Sequence, residues 1–193
     1  MRIDLNLKEG VCGEWELKKF TVTPEEAKFD YIRFMFNGFK QLPVEAGIYW
    51  KLTQRGNIYM SNTPSEVKDH WSFIRNAHGS VLIAGLGLGM VVRALLDKGK
   101  CTRIVVVEKS EDVLKLVSPY YNDKRVEIIH SDIFNYKPNE HFNFAWFDIW
   151  RDICGDNYPE MKKLNRKFAH TVNNKDSWRF KECKRLYYAN KDE

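Results

Sequence analysis

The chain has 193 residues, of which 44% are hydrophobic and 30% are charged, and this composition is typical of a soluble globular protein with one sizeable core. The net charge is +5, and we expect neither a membrane span nor a signal peptide, because no apolar run suits either. The four cysteines lie far apart and form no C-x-x-C pair. We therefore expect no zinc site, no disulfide framework and a location in the reducing cytoplasm.

The sequence pattern of the first part of the chain predicts a small α+β element. The stretch WELKKFTV alternates like a strand, and TPEEAKFDYIRFMFNG has the pattern of a helix. Thr23 and Glu26 have the spacing of a capping box, and Gly38 can end the helix in the left-handed conformation. A strand followed by a capped helix is therefore expected before the main fold begins.

A β-hairpin and a second helix complete this element. Two strand-like runs in GIYWKLTQRGNIYMS flank Arg55-Gly56, a pair that indicates a hairpin turn. In NTPSEVKDHWSFIRNAHG, Asn62 or Thr63 can cap a helix that Gly79 ends. We predict an N-terminal element with a hairpin over residues 1–79.

From Ser80 onward, continuous apolar runs alternate with helical stretches. The runs are SVLIAGL, TRIVVVEKS, RVEIIHSDIF and NFAWFDIW. Strands this apolar are typical of a parallel sheet that is covered on both faces, and right-handed crossovers bring their carboxyl ends to one ligand-binding edge. We predict an α/β, Rossmann-like core over residues 80–150, which forms one structural domain together with the segments on either side.

Three glycines lie between the first of these strands and the helix that follows. Gly85, Gly87 and Gly89 allow a tight turn that approaches a ligand closely. Their spacing is G-x-G-x-G, and Met90 stands where the dinucleotide fingerprint has a small residue, which disfavours a pyrophosphate. Glu108 ends the second strand and can accept both ribose hydroxyls of an adenosine. A tight turn without a ligand is the alternative interpretation.

Acidic residues also follow the third and fourth predicted strands. Asp132 can reach an adenine amino group, with Ile133 as its apolar flank, or can cap the next helix. Asp148 can orient or deprotonate an amine nucleophile beside a bound electrophile. The flanking Trp146 and Trp150 either hold a cationic or planar substrate or belong to the core.

The sequence predicts no metal site. The five histidines lack the spacing of metal ligands. Asp148, Asp152 and Asp156 step by four residues, but the strand that ends at Asp148 and the glycine at position 155 argue against one shared helix face. A hard cation needs several converging oxygens, so we place no metal there.

The sequence pattern of residues 151–193 predicts a polar, basic and helical segment without an apolar strand. We therefore expect a truncated sheet, whose edge is covered by the N-terminal hairpin, by a C-terminal helix or by a second subunit in a homodimer. The basic residues leave a nucleic-acid partner open, although no recognition motif supports one. A solvated helix face is the simpler interpretation.

The order SVLIAGLGLG, IVVVEKS, HSDIF and FNFAWFDIW resembles the nucleoside-binding half of class I S-adenosylmethionine-dependent methyltransferases. Within that superfamily it is most similar to the spermidine synthase branch, which also has an N-terminal β element. The resemblance covers residues 80–150 and implies S-adenosylmethionine, or its decarboxylated form, as cofactor. It implies these binding residues: Gly85, Leu86, Gly87 and Gly89 at the amino-acid end, Glu108 and Lys109 at the ribose, and Asp132 and Ile133 at the adenine.

The resemblance also implies an activity and an acceptor site. It places Asp148 at the catalytic acid position, and the neighbouring Trp146, Trp150 and Asp152 are the candidate residues of the acceptor pocket. The activity implied is methyl transfer to an unknown acceptor. An aminopropyltransferase and a catalytically silent relative that binds a nucleoside or a partner are the alternatives.

Four positions depart from the patterns of these families, and one of them is Asp152, which follows Asp148 by four residues where the second acid of polyamine synthases comes three residues on. Ile83 stands where many methyltransferases carry an acid two residues before the first glycine, and Leu88 stands where spermidine synthases carry aspartate. Glu66, in TPSE, stands alone where polyamine synthases have a pair of acids. We therefore expect the amino-acid end of the ligand to be held in some other way than by these carboxylates.

Overall fold

The computed structural model describes residues 3–36 and 42–190, and these form two β-sheets with six α-helices. The strands are β1 (Gly10–Cys12), β2 (Trp15–Val22), β3 (Gly47–Gln54), β4 (Asn57–Ser61), β5 (Gly79–Ala84), β6 (Cys101–Glu108), β7 (Val126–His130), β8 (Phe142–Phe147) and β9 (Val172–Ser177). The helices are α1 (Pro24–Phe36), α2 (Pro64–Asn76), α3 (Met90–Lys98), α4 (Glu111–Val117), α5 (Asn157–Lys167) and α6 (Phe180–Ala189). A 3-10 turn at Ser118–Tyr120 follows α4.

The N-terminal sheet is antiparallel, with strand order β1-β2-β3-β4. Strand β2 has the bounds that its alternating pattern predicts, and β3 and β4 form the predicted hairpin. At the turn, Arg55 has φ 51° and Gly56 has φ 78°. Two successive left-handed residues match the twist of a tight hairpin, which confirms the prediction for Arg55-Gly56.

Helix α1 begins with the predicted capping box. The Glu26 N–H donates to Thr23 Oγ1 at 3.2 Å, and the Thr23 N–H donates to Glu26 Oε2 at 2.8 Å. Each residue thus satisfies a backbone donor that a helix start leaves without an intrahelical partner. The predicted helix end at Gly38 lies outside the described residues.

Helix α2 follows Thr63, one of the two predicted caps, but the side chain of Thr63 makes no capping hydrogen bond. Instead, Glu66 reaches back and accepts from the Ser61 N–H at 2.8 Å. The predicted end at Gly79 is wrong, because α2 stops at Asn76 and Gly79 already pairs with Cys101 in the sheet.

The second sheet is fully parallel, with strand order β7-β6-β5-β8-β9. The chain runs outward from β5 to β7, then returns to the other side of β5 for β8 and β9. This reversal places a crevice at the carboxyl ends of β5 and β8, where open α/β sheets bind ligands. The predicted Rossmann-like α/β class is confirmed, together with the small antiparallel sheet that precedes it.

The prediction that residues 151–193 are helical throughout is wrong, although the expected absence of an apolar run from this segment agrees with the polar sequence of β9. Strand β9 pairs in parallel with β8 from Phe142↔Val172 to Phe147↔Ser177, and α6 follows it. The sequence of β9 is VNNKDS, and only its two end residues are buried. An edge strand with exposed side chains carries no continuous apolar run, so hydrophobicity alone did not reveal it.

The core lies on both faces of the parallel sheet. Along β5, Val81 and Ile83 belong to one apolar cluster, and Leu82 and Ala84 belong to the other, because successive side chains of a strand point to opposite faces. The first cluster also contains residues of the antiparallel sheet, so the two sheets share apolar packing. This packing brings the end of β4 to the carboxyl edge of β5. Within the described ranges, no helix is long and apolar enough to cross a membrane.

Candidate active site

A cavity of about 840 Å³ opens at the carboxyl ends of the parallel strands. Its walls come from the loops after β5, β6, β7 and β8, and it is closed on one side by β4 and α2. The predicted residues that line it are Gly85, Gly87, Glu108, Lys109, Asp132, Ile133, Asp148 and Trp150. Segments that are far apart in the chain therefore meet around one space of the size that cofactor sites usually have.

The glycine loop approaches its neighbours so closely that side chains would not fit. Gly85 has φ 94°, and a Cβ there would meet the backbone carbonyl of Asp148. At Gly87, with φ 51°, a Cβ would lie 2.6 Å from Met60 Sδ. These two glycines keep the loop backbone open to the cavity, as a close approach to a ligand requires.

Gly89 has a different surrounding from the other two glycines. It is the left-handed residue before α3, with φ 69°, and a Cβ there would enter the ring of Tyr121. The Tyr121 O–H donates to the Leu88 carbonyl at 2.8 Å, which ties this turn to the segment after α4. Gly89 does not line the cavity, so the structure places it in the support of the loop.

The carboxylate of Glu108 joins the end of β6 to the glycine loop. Its Oε2 accepts from the Leu86 N–H at 2.8 Å, and its Oε1 accepts from the Ser110 N–H at 2.7 Å. Leu86 itself is buried, so its backbone N–H rather than its side chain takes part in the site. The predicted pairing of the loop with an acid on the adjacent strand end is thus present in the structure.

Asp132 is held in a turn after β7. It accepts from the Phe134 N–H at 2.8 Å, and Lys109 Nζ lies 3.1 Å from its Oδ2. Burial alone would raise the pKa of the Asp132 carboxyl, but these two donors outweigh burial and hold the pKa below its usual range. Asp132 therefore faces the cavity as a carboxylate beside the buried Ile133, and it caps a turn rather than a helix.

Asp148 follows β8 directly and lies at the floor of the cavity. Its N–H donates to the Ala84 carbonyl at 3.0 Å, and its side chain is 11% exposed. Burial and the nearby Glu66 and Asp69 raise the pKa of Asp148 to about 7. The Trp146 indole N–H opposes this rise only in part. A carboxyl with a pKa near neutral can both accept and release a proton under working conditions.

Glu66 is a second, half-buried carboxyl in this region that was not predicted as a site residue. Both the N–H and the O–H of Ser61 donate to it, at 2.8 and 2.7 Å, yet burial still raises its pKa above the usual range. The exposed Glu160 also lines the cavity, and it accepts from the Trp150 indole N–H at 2.7 Å. Carboxyl groups outnumber the basic Lys109 and Arg151 around the cavity, which favours a cationic ligand.

His70 also lines the cavity, although its sequence spacing gave no reason to select it. Its Nδ1 lies 3.7 Å from Asp148 Oδ2. Burial and the charge of Arg179 lower the pKa of His70 to about 4, so the imidazole is neutral near pH 7. A signal was present in the sequence, because His70 stands on the apolar stripe of α2 between Val67 and Phe73.

Two of the predicted acceptor residues lie away from the cavity. Trp146 belongs to the core, where its ring packs against Phe73 with 5.2 Å between centroids. Asp152 is exposed and pairs with Arg151 at 2.8 Å. Across the described part of the chain, no group of three or more side chains has the arrangement of a metal site, so Asp148, Asp152 and Asp156 do not form one there.

No family model matches the chain, and no curated protein matches it. Among solved structures, a DhpI complex with SAH is similar at 18% identity and a TM-score of 0.44, over 55% of this chain and 51% of that chain. The N-methyltransferase NodS from Bradyrhizobium japonicum WM9, in complex with S-adenosyl-L-homocysteine, is similar at 15% identity and 0.46, over 57% and 58%. A putative methyltransferase from Thermoplasma acidophilum is similar at 25% identity and 0.37, over 47% and 39%.

This chain therefore spans about half the length of the solved structures that it matches. At these identities and TM-scores, the likeness assigns neither a family nor an activity to the chain. The topology of its own parallel sheet and the geometry of its own cavity carry the functional argument.

Proposed function

We propose that this protein binds S-adenosylmethionine and transfers its methyl group to an acceptor amine. One observation carries the proposal: Gly85 and Gly87, the Glu108 carboxylate and the buried Asp148 surround one cavity at the carboxyl ends of adjacent parallel strands. A glycine turn beside an acid on the next strand end is the arrangement that binds an adenosine. The volume of about 840 Å³ leaves room for a nucleoside ligand and an acceptor together.

The proposed ligand lies along the sheet edge with its adenine toward β7. Asp132 accepts from the adenine amino group there, and Ile133 packs against the ring. Glu108 accepts from the ribose hydroxyls, and Lys109 flanks it. The amino-acid end then follows the backbone of Gly85 and Gly87, because Ile83 and Leu88 are fully buried and present no carboxylate.

Methyl transfer from a sulfonium requires mainly alignment of the nucleophile with the breaking carbon–sulfur bond. Asp148 lies against Gly85 and would accept the proton that the acceptor nitrogen loses. Glu66 and Glu160 also line the cavity and add carboxyl groups to its walls. This charge supports an amine as the acceptor, because an ammonium group is attracted to the cavity before it loses its proton.

Aminopropyl transfer is the second candidate function. It is favoured by Glu66, a half-buried carboxyl in the cavity wall whose charge acts on Asp148, because two separated acids suit an acceptor with two amino groups. It predicts that decarboxylated S-adenosylmethionine binds more tightly than S-adenosylmethionine. The homodimer, the nucleic-acid partner and the cytoplasmic location stay predictions. The four free cysteines suit a reducing compartment.

Isothermal titration calorimetry with S-adenosylmethionine, its decarboxylated form and S-adenosylhomocysteine tests the proposal. We expect specific binding of S-adenosylmethionine, with the decarboxylated form weaker. No binding of any of the three contradicts the proposed function, and a clear preference for the decarboxylated form selects aminopropyl transfer. Release of S-adenosylhomocysteine in the presence of a panel of amines then separates a methyltransferase from a catalytically silent binding protein.

A further inference from the structure

His70 is a polar residue on the buried face of α2. Its side chain is 2% exposed, and Val67, Phe73 and Ile74 are buried on the same helix. Its Nδ1 has no hydrogen-bond partner in the stretches that the structure describes. Buried polar atoms are nearly always hydrogen-bonded, so an unpartnered nitrogen on a residue that lines a cavity requires an explanation.

The carboxyl of Asp148 is close enough to supply the missing partner. Its Oδ2 lies 3.7 Å from His70 Nδ1, which is longer than a hydrogen bond and too short for a water between the two atoms. In structures without substrate such contacts are often long, and they tighten when the ligand binds. The His70 ring is already oriented by edge-on packing against Trp146, with 5.5 Å between centroids.

Burial and the charged groups on the surrounding elements set the protonation state of the imidazole. Glu66 and Asp69 lie on the same helix, and the Arg179 guanidinium, from the segment after β9, donates to Asp69 from Nη2 at 2.7 and 2.8 Å and from Nε at 3.1 Å. Burial and Arg179 together keep His70 neutral. His70 therefore meets Asp148 as a neutral hydrogen-bonding imidazole, not as a countercharge.

Other elements contribute titratable groups to the same cavity. Tyr59 faces it from β4, Glu108 from the end of β6 and Arg151 from the loop after β8. The pKa of Tyr59 is raised by burial and by Glu108 and Asp148, so the phenol stays neutral near pH 7. None of these groups is hydrogen-bonded to His70 Nδ1 in the described residues, which leaves Asp148, 3.7 Å away, as the candidate partner.

We propose that His70 is the positioning residue for Asp148: its Nδ1–H donates to the Asp148 carboxylate and keeps that carboxylate turned toward the nucleophile. This inference rests on the methyl transfer proposed above. In that step the lone pair of the acceptor nitrogen forms the bond to the methyl carbon, and the electron pair of the breaking carbon–sulfur bond stays on sulfur. The proton that leaves the nitrogen goes to Asp148. His70 gains and loses no proton, and it stabilises the charged carboxylate before the transfer.

The test follows the Asp148 carboxyl by carbon-13 NMR in protein labelled at aspartate, from about pH 5 to about pH 9, with Asp148→Asn to assign the signal. His70→Phe retains an aromatic ring against Trp146 but has no donor. We expect it to raise the titration midpoint of Asp148 by about one pH unit, because a hydrogen bond to a carboxylate favours its charged form. In His70→Asn the amide N–H can replace Nδ1–H, so the titration midpoint of Asp148 should lie close to its value in the unaltered protein.

His78→Phe is the matched control, because His78 is also packed edge-on against an aromatic ring, that of Phe144 at 4.8 Å, but lies away from the cavity. It should leave the midpoint unchanged. A midpoint that stays in place in His70→Phe, or that moves equally in His78→Phe, overturns the role of His70.

A measurement on the unaltered protein covers the case in which His70→Phe does not fold. The nitrogen-15 shift of His70 Nδ1 should follow the titration of Asp148 if the two are hydrogen-bonded, and a flat profile overturns the inference. Neither readout requires S-adenosylmethionine. A failure of ligand binding therefore contradicts the proposed function alone, and an unmoved carboxyl midpoint contradicts the role of His70 alone.

Discussion

The carboxylate of Glu108 accepts a hydrogen bond from the Leu86 N–H at 2.8 Å and thereby connects the ends of two adjacent parallel strands. The two residues are 22 positions apart in the chain. The same carboxylate faces the cavity, so it is fixed in orientation before any ligand arrives. A ribose that binds there meets a preorganised acceptor, which lowers the entropic cost of binding.

Removing the Glu108 carboxylate should weaken nucleoside binding. We expect Glu108→Ala to lower the affinity for S-adenosylmethionine by about 10-fold to 100-fold, because hydrogen bonds to a charged group contribute about 1.5–3 kcal/mol each. Calorimetry measures the change. The control is Glu111→Ala, since Glu111 is exposed on α4 and pairs with Lys115. Unchanged affinity in Glu108→Ala would show that the cavity is not placed as we propose.

Replacing Asp148 should change how stability depends on pH. Its pKa is raised from 3.8 to about 7 in the folded state, so its contribution to stability is lost as the pH rises from about 4 to about 7. Asp148→Asn removes this loss. We expect the variant to be more stable than the natural chain at about pH 8, by at most about 4 kcal/mol, in urea unfolding. Asp152→Asn, on an exposed side chain, should show no such difference.

Replacing His70 should change the pH dependence of stability in the opposite direction to replacing Asp148. Its pKa is lowered from 6.5 to about 4, so its contribution is present above about pH 6.5 and is lost as the pH falls toward about 4. In the natural chain this slope opposes that of Asp148. We expect the stability of His70→Phe to fall more steeply than that of the natural chain as the pH rises from about 4 to about 6.5, because the opposing contribution of His70 is gone. Urea unfolding at several pH values checks this, and identical profiles would refute it.

A methyl group at Gly89 should destabilise the loop through Tyr121. Gly89 and Gly99 have almost the same φ, 69° and 70°, but a Cβ at Gly99 meets nothing within 4 Å. Gly99→Ala therefore reports backbone strain alone, about 1–2 kcal/mol. We expect Gly89→Ala to cost at least about 1 kcal/mol more in the free energy of unfolding, since the Tyr121 ring must move. Equal losses in the two variants would mean that the Tyr121 ring moves aside at no measurable cost in free energy.

Breaking the Asp69–Arg179 pair should loosen the C-terminal part of the parallel sheet. Arg179 is a left-handed residue with φ 54° that follows β9, and its guanidinium bonds Asp69 on α2. We expect Asp69→Ala to lower the free energy of unfolding by about 1–2 kcal/mol, because it removes the main acceptor of a partly buried guanidinium and leaves it only Glu182 at 3.2 Å. Asp152→Ala, in the exposed pair with Arg151, should change it by less than about 0.5 kcal/mol.

Local chemistry in the sequence was sufficient to predict several elements. The Thr23–Glu26 capping box, the turn at Arg55-Gly56 and the apolar strand before Gly85 were all read correctly, because each depends on neighbouring residues. The parallel sheet, though not its strand order, was predicted from the alternation of apolar runs with helices. Strand β9 was missed, because an edge strand depends on its neighbour β8 for its hydrogen bonds and not on its own hydrophobicity.

The site likewise contains residues whose positions the sequence predicted and residues whose positions it did not. The positions of Gly85, Glu108, Asp132 and Asp148 at strand ends followed from the pattern of a parallel sheet, since every such strand ends at one edge. Asp152 was expected there too, but the chain turns outward after Trp150 and leaves it exposed. Trp146 points into the core, because alternate residues of β8 face opposite sides of the sheet.

By itself, the sequence determined the class of the fold, the glycine turn and the acids that follow the strands, because these depend on short-range propensity and on hydrophobic period. The tertiary structure decided which of these groups are buried together. It brings His70 within 3.7 Å of Asp148 across 78 residues of chain and surrounds the pair with Glu66, Asp69 and Arg179. Desolvation and charge interactions arise only from such long-range contacts, and they set the proton affinity of Asp148 on which the proposed reaction depends.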